Sequence, residues 1–398
     1  MERFWIGRMF RSRVSLVAFT VGVLAICGGR LSVAEAATAH ETGVVFFPPT
    51  ALRNIQQNAQ RVPLIRQWLD RQFASAHTDE HALPHPRQRL DIADTLHSED
   101  ARVISKAFDH LLALGLDYAF NRNPASLQTA QDWLTAWATT YVPMGHPLVE
   151  QPFTVYVMSY ELVRDHLSEA ARNAIDTFLL KLYEMQVAHL RDPSFKMMAY
   201  SNKWSTHCAN TAAIAFLRND PDEIAYAQAC YVDQLTHNLF PAVTFDEVFP
   251  MLARKFPTLA GKRYVQGVTL DFIQRDALEY QLTSLGSLFT TALAAENNGL
   301  HWFALEGEKG QRLAWAFDFL IPYATGEQRH YEFGETLDTL DQQHKREKWF
   351  DPRDAVRMLT LAVRIDPKYA AYADARTLNR DVQLAAYAGF PDLPGPGK

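Results

Sequence analysis

Helical periodicity runs through this chain almost without interruption, and no other feature constrains its fold as much. Ala101–Phe120, Pro124–Tyr141, Val155–His166, Glu169–Arg191, Lys203–Leu217, Asp222–Asn238, Asp271–Glu296, Gln311–Leu320 and Pro352–Val363 all repeat apolar residues at helical spacing. Turn clusters such as Asn121-Arg122-Asn123-Pro124 and Asn297-Asn298-Gly299 separate several of them, and few runs alternate as strands do. No period near roughly 34 residues is visible, which weighs against a tetratricopeptide-like solenoid. The expected fold class is all-α: an α/α toroid, an incomplete barrel of antiparallel helix pairs with an inner ring and a cleft at one end.

Met1–Ala36 reads as a processing signal. Arg3, Arg8, Arg11 and Arg13 precede the apolar run Val14–Ile26, and Ala34-Glu35-Ala36 is a small-x-small cleavage site. The run is short for a membrane-spanning helix and no second one follows, so stable membrane insertion is not expected. Cys27 would suit a lipid anchor, but Ile26 stands where a small residue would precede it. The expectation is a periplasmic or secreted protein with one domain over residues 37–398 and a loose tail from Gly389.

The whole chain carries a net charge of −6, and removing Met1–Ala36, with five Arg and two Glu, makes it −9. An acidic protein is a poor nucleic-acid binder. A polyanionic ligand would need a locally basic site, for which Arg254, Lys255, Lys262 and Arg263 offer a basic loop; an ordinary solvated loop accounts for them equally. Cys208 and Cys230 lie on two helices joined by Arg218–Pro221, with Asp220 as N-cap and Pro221 at the first helical position. Two free buried thiols are the expectation, and a disulfide in an oxidising compartment is the geometrically open alternative. Trp133, Trp137, Trp204, Trp302, Trp315 and Trp349 would suit sugar stacking, though most are expected to fill helix interfaces.

Two segments could carry chemistry. In Asn202–Leu217, Lys203, His207 and Asn210 share one helix face with Thr206 beside them, and the stripe turns apolar at Ile214 and Leu217. The positive end of that helix would favour a carboxylate. The plainer reading is that His207 and Asn210 bond backbone in a crowded bundle. In Asp271–Glu296, Asp271 with Gln274 reads as a capping-box variant, Asp276 and Tyr280 share a face, and Arg275 points partly away from Tyr280. A surface Arg–Asp pair with a half-buried Tyr fits that spacing equally. There is no HExxH and no clustered carboxylate–histidine set, so no metal site is expected.

Leu270–Tyr280, the Ala/Leu-rich helix after it and Pro322–Phe333 together resemble the alginate lyase-like family of polysaccharide lyases. Trp137–Pro147 is similar to that family's tryptophan-containing helix ending in a Tyr-x-Pro-x-Gly-x-Pro loop. Asn202 with its polar, aromatic-containing run, and Asp220 at the next turn, is similar to its asparagine motif. The likeness extends from Leu112 to Pro367 in the family's order.

The resemblance implies β-elimination on an acidic polysaccharide, with no nucleic-acid or protein partner and no cofactor. By position, Asn202 and Arg275 would hold the C5 carboxylate. Tyr280 would protonate the leaving O4 and also take the C5 proton when both lie on one face. His207 would be the base for the opposite geometry or would tune Tyr280. Lys203, Trp204, Asn210, Arg254, Lys255 and Gln274 are candidate substrate-binding residues. Mannuronate-rich alginate leads as substrate, with glucuronan next.

The chain departs from the pattern at several positions. The His that commonly follows the motif Asn is Lys203 here, Glu279 and Gln281 flank Tyr280 where a His is common, and Thr283 stands where some members place the catalytic Tyr. His330 matches a family position with a structural loop role expected, while His85 and His146 read as loop histidines. Two rival classes stay open: a toroid glycoside hydrolase drawing two carboxylates from Asp271, Asp276 and Glu279, and a non-catalytic periplasmic sugar-binding protein.

Overall fold

The computed structural model describes residues 43–78, 86, 88, 99–147, 149–191, 200–344, 347–378, 380–391 and 393; the processing signal, Cys27 and His85 lie outside them. Helices α1 (Pro49–Arg61) and α2 (Pro63–Ala76) each open with a proline, whose missing N–H is unneeded in a first turn. Next come α3 (Glu99–Asn121), α4 (Pro124–Thr140), α5 (Phe153–Val163), α6 (Glu169–Arg191), α7 (Asn202–Arg218) and α8 (Pro221–Asn238). Asn123 caps α4 through the Ala125 N–H, and Asp220 caps α8 through Asp222 and Glu223, as its sequence predicts. Shorter elements follow: β1 (Val243–Thr244), α9 (Phe245–Val248), α10 (Pro250–Lys255) and β2 (Arg263–Tyr264), which pairs antiparallel with β1. The chain continues through α11 (Leu270–Arg275), α12 (Leu278–Asn297), α13 (Leu313–Asp318) and α14 (Ile321–Thr325). It ends with β3 (Tyr331–Glu332), α15 (Thr339–His344), β4 (Lys348–Trp349), α16 (Pro352–Ala362) and α17 (Asp381–Ala388), β3 and β4 forming a second antiparallel pair.

Helix contacts close a ring. α3 packs on α5, α5 on α7, α7 on α12, α12 on α16, α16 on α17, α17 on α2, and α2 back on α3. α4, α6, α8 and α13 form a second layer against it, giving an α/α toroid. The sequence explains the layering. α7 is buried without a gap from Ser205 to Leu217, a stretch that apart from His207 and Asn210 is small or apolar and that has no Lys, Arg, Asp or Glu. A helix without a charged face belongs inside. α6 instead exposes Glu169, Arg172 and Asp176 and buries Ile175, Phe178, Leu179 and Leu182.

Aromatic residues fill one side of the ring. Phe108 meets Trp137 at 4.9 Å and Phe153 at 5.1 Å edge-on, and Tyr156 meets Phe178 at 5.7 Å. Of the six tryptophans singled out above, Trp137 and Trp302 are buried, Trp133, Trp204 and Trp315 half-buried, and Trp349 exposed. Trp68 on α2 donates to Asp381 on α17 (3.1 Å) and so fastens the closure.

The segment before α1 is sewn across the inner helices. The half-buried Glu161 on α5 accepts, through its carboxylate, the N–H groups of Val45 (2.8 Å), Phe46 (2.9 Å) and Phe47 (3.0 Å). Arg164 donates to the carbonyls of Gly43 (2.6 Å) and Leu217 (2.8 Å). The tail is packed where it begins: Phe390 and Leu393 are buried, and Asn58 donates to the Phe390 carbonyl (2.9 Å). Cys208 and Cys230 form a disulfide between α7 and α8, with Cα atoms 5.7 Å apart, which overturns the expectation of free thiols. The tight, capped turn at Asn219–Asp220 sets the two cysteines level.

Candidate active site

The single helix expected from Asp271 to Glu296 is broken. α11 ends at Arg275, Asp276 turns left-handed (φ 49°, ψ 47°), and α12 starts at Leu278. Nothing local demands this, since neither Gly nor Pro is present. The break is held from His330–Glu335. His330 Nε2 (2.9 Å) and the Phe333 N–H (2.7 Å) both meet the Asp276 carbonyl, and the Glu335 N–H donates to its carboxylate (2.8 Å). Buried Glu332 accepts the Leu278 (2.7 Å) and Glu279 (3.3 Å) N–H groups and caps α12, and burial raises its carboxyl to about 8. His330 thus sits in the loop as a structural residue. Asp276 and Tyr280 do not share a helix face, because their four-residue spacing spans the break.

The expected capping box is also replaced. Thr269 caps α11 through the Phe272 N–H (3.3 Å). Asp271 turns inward instead, and its Oδ2 accepts the Asn202 N–H (2.5 Å) and the Ser284 hydroxyl (3.2 Å). One carboxylate therefore joins the starts of α7 and α11 to the second turn of α12. Burial raises it to about 7, opposed by those bonds and by Arg275 and Lys203.

Turning at Asp276 folds Arg275 back over Tyr280, its guanidinium carbon 3.9 Å from the ring centroid, where the sequence had it pointing partly away. Its fork closes on the buried carboxylate of Asp341, with Nε–Oδ2 at 2.7 Å and Nη2–Oδ1 at 2.6 Å, and Asp338 lies 3.9 Å from Nη1. Phe333 meets the Tyr280 ring edge-on at 6.1 Å. Lys203, half-buried in the first turn of α7, is pulled to a lower pKa by burial and then by Arg275, against Asp271 and Asp338.

Further along α7, His207 is fully buried with Nε2 3.0 Å from the Tyr226 hydroxyl, and its Nδ1 meets no hydrogen-bond partner among the described residues. Burial, then His189, lowers it to about 3, so the ring is neutral. Asn210 donates to the Pro147 carbonyl (3.1 Å) and accepts from Thr154 (3.2 Å), tying α7 to the loop that follows α4. That loop winds around buried Glu150, which accepts from the Tyr141 hydroxyl (3.0 Å) and the Met144 N–H (2.7 Å). It brings His146 to 5.8 Å from His189 on α6, ring to ring, and burial, then Lys203, then His189 lower His146 to about 4.

Asn202, Lys203, Arg275 and Tyr280 therefore gather where α7 begins beside the α11–α12 break, with His207 deeper along α7. Trp204 faces Tyr200 at 5.7 Å, and Gln274 offers its carbonyl to the Leu337 N–H (2.9 Å). Arg254 and Lys255 lie exposed in the last turn of α10 rather than in a loop. From that basic stretch it is Lys262 whose contacts reach the break, pairing with Glu335 and lying 3.6 Å from Asp276. Sequence reasoning missed Asp341, Tyr226 and His189, which neighbour no motif, and set His146 aside although it lies inside the Tyr141–Pro147 loop. Among the described residues, no group of three or more His, Cys, Asp or Glu is arranged to hold a metal ion.

A family model described as alginate lyase matches residues 56–330. No curated protein matches the chain. Among solved structures, an alginate lyase from Bacteroides ovatus superposes with a TM-score of 0.54 at 13% identity, covering 86% of this chain and 99% of that one. Alginate lyase A1-III from Sphingomonas species A1 does so with a TM-score of 0.53 at 15% identity, covering 86% and 97%. At such identities the likeness speaks for the fold.

Proposed function

The chain belongs to the alginate lyase family and is a polysaccharide lyase, and we propose that it cleaves a uronic-acid polymer by β-elimination, mannuronate-rich alginate first and glucuronan next. The observation that carries this reading is the stacking of Arg275 on Tyr280 beside Lys203 and Asn202. Elimination removes the C5 proton, forms the C4–C5 double bond and expels O4. It needs the carboxylate neutralised, a base and an acid. Asn202 and Lys203 supply the first directly, and Arg275, its fork held by Asp341, adds its positive charge from beside them. Tyr280 supplies the other two in turn: its phenolate, favoured by the guanidinium over its ring, takes the C5 proton and returns one to O4. Mannuronate and glucuronate share their C4 and C5 configuration, so proton and leaving oxygen lie on one face and a single phenol can serve both. In guluronate the proton lies on the other face.

His207 is not the base in this account: its full burial and its bond to Tyr226 speak against that one of its two expected roles. The hydrolase alternative is less well supported, because its carboxylates are already engaged: Asp271 by Asn202 and Ser284, Asp276 by Glu335, and Glu279 by Lys348 (2.8 Å). Export to the periplasm or medium belongs to the same proposal, and the Cys208–Cys230 disulfide supports an oxidising compartment. Tyr280→Phe tests the mechanism. Turnover of polymannuronate should fall by roughly 10²–10⁴-fold with folding intact, and a fully active variant would remove Tyr280 from the reaction.

A further inference from the structure

The β3–β4 hairpin carries an exposed aromatic pair that the proposed chemistry does not use. Tyr331 and Trp349 face each other in register, their rings meeting edge-on at 5.2 Å. They are 42% and 57% exposed, and are the aromatic members of the large hydrophobic side chains left in solvent among the described residues. The exposed Arg329 lies over the Trp349 ring, its guanidinium carbon 4.4 Å from the centroid.

The hairpin is anchored rather than loose. The opposite register pair, Glu332 and Lys348, faces α12: Glu332 caps that helix, and Lys348 bonds Glu279 (2.8 Å), the residue before Tyr280. The Phe350 N–H also bonds the His330 carbonyl (3.0 Å). By the alternation of a strand, Tyr331 and Trp349 project from the other side of the ribbon. Solvent-facing aromatics on a fixed ribbon present flat apolar surface, and a cation beside them suits an anion.

We propose that Tyr331, Trp349 and Arg329 form a secondary binding platform for acidic polysaccharide, separate from the reacting groups. The apolar face of a pyranose ring rests on the aromatic pair while Arg329 meets a uronate carboxylate. The choice of occupant rests on the polyuronate reading above and on the positive charge of Arg329. The platform holds the polymer at the edge of the α12 start, so a long chain gains affinity that a short oligosaccharide cannot.

Retardation of the mature protein in native gels containing polymannuronate or glucuronan, run cold beside gels containing neutral dextran, tests this directly. Trp349→Ala should weaken retardation about five- to tenfold with an unchanged unfolding midpoint, and Trp349→Phe should keep most of it. Arg329→Gln should lose the preference for acidic polymer over dextran. Equal retardation of Trp349→Ala and the parent, or no retardation of the parent by either acidic polymer, would overturn the platform. Loss of retardation in Trp349→Ala without any elimination activity in the parent would leave the platform standing and remove the lyase mechanism instead.

Discussion

Arg275 lies over the face of Tyr280 at 3.9 Å while its guanidinium fork is closed on Asp341. The carboxylate fixes the cation in place and offsets part of its charge. Asp341→Asn keeps a hydrogen-bonding partner but removes the offset, so Tyr280 should ionise more readily. The ascending limb of kcat/KM against pH should move to lower pH, with a maximum reduced by about tenfold through looser positioning. A limb that stays put or moves upward would mean that Arg275 does not set the acidity of Tyr280.

His207 ties stability to pH. Its folded pKa is depressed to about 3, from an ordinary value of 6.5, mainly by burial. The unfolded chain therefore binds a proton that the folded one refuses between these values. Stability is lost as pH falls below about 6.5, by about 2 kcal/mol at pH 5 relative to pH 7.5 from this residue. Denaturant titrations should show a shallower loss over that window in His207→Gln, whose amide can still meet Tyr226. An identical loss in both proteins would place the titrating group elsewhere.

The Cys208–Cys230 disulfide closes a loop of 22 residues. A cross-link of that span contributes about 3 kcal/mol by restricting the unfolded chain. Reductant should lower the unfolding midpoint of the parent and leave that of the double Cys→Ser protein unchanged. Equal sensitivity in both would show that the bond does not form.

Gly145 holds the loop that carries His146. It sits at φ 77°, and a Cβ there would lie 2.3 Å from the Met185 carbonyl oxygen. Gly261 has a similar φ of 74° with nothing within 4 Å of a Cβ. Gly261→Ala should cost about 1–2 kcal/mol from backbone strain alone, and Gly145→Ala should cost more and lower turnover as well. Equal costs would mean that the loop moves aside without penalty.

Most of the ring was legible because α3, α5, α7, α12 and α16 fall on runs of helical spacing and several caps, such as Asn123 and Asp220, are written locally, whereas the short α17 (Asp381–Ala388) was not read as a helix. α1 and α2 were equally open to that reading, with Pro49 and Pro63 marking their starts, and were overlooked. The site was legible only in part. Asn202, Lys203, Arg275 and Tyr280 do come together, but their geometry depends on a helix break that no Gly or Pro announces. Asp276 turns because His330, Glu332, Phe333 and Glu335 bind around it from a distant segment. A helical wheel drawn through that break sends Arg275 away from Tyr280, and the stacked pair is lost from view. The acidic partner Asp341 and the histidines around His207 are long-range contacts of the same kind.

The most direct measurement is ultraviolet absorbance during incubation of the mature protein with polymannuronate, polyguluronate and glucuronan. Elimination creates a conjugated double bond at each cleaved end, so absorbance should rise on polymannuronate, and on glucuronan more slowly, with polyguluronate flat. A flat trace on all three from a folded protein would contradict the account, and a rise on polyguluronate alone would contradict the one-phenol mechanism.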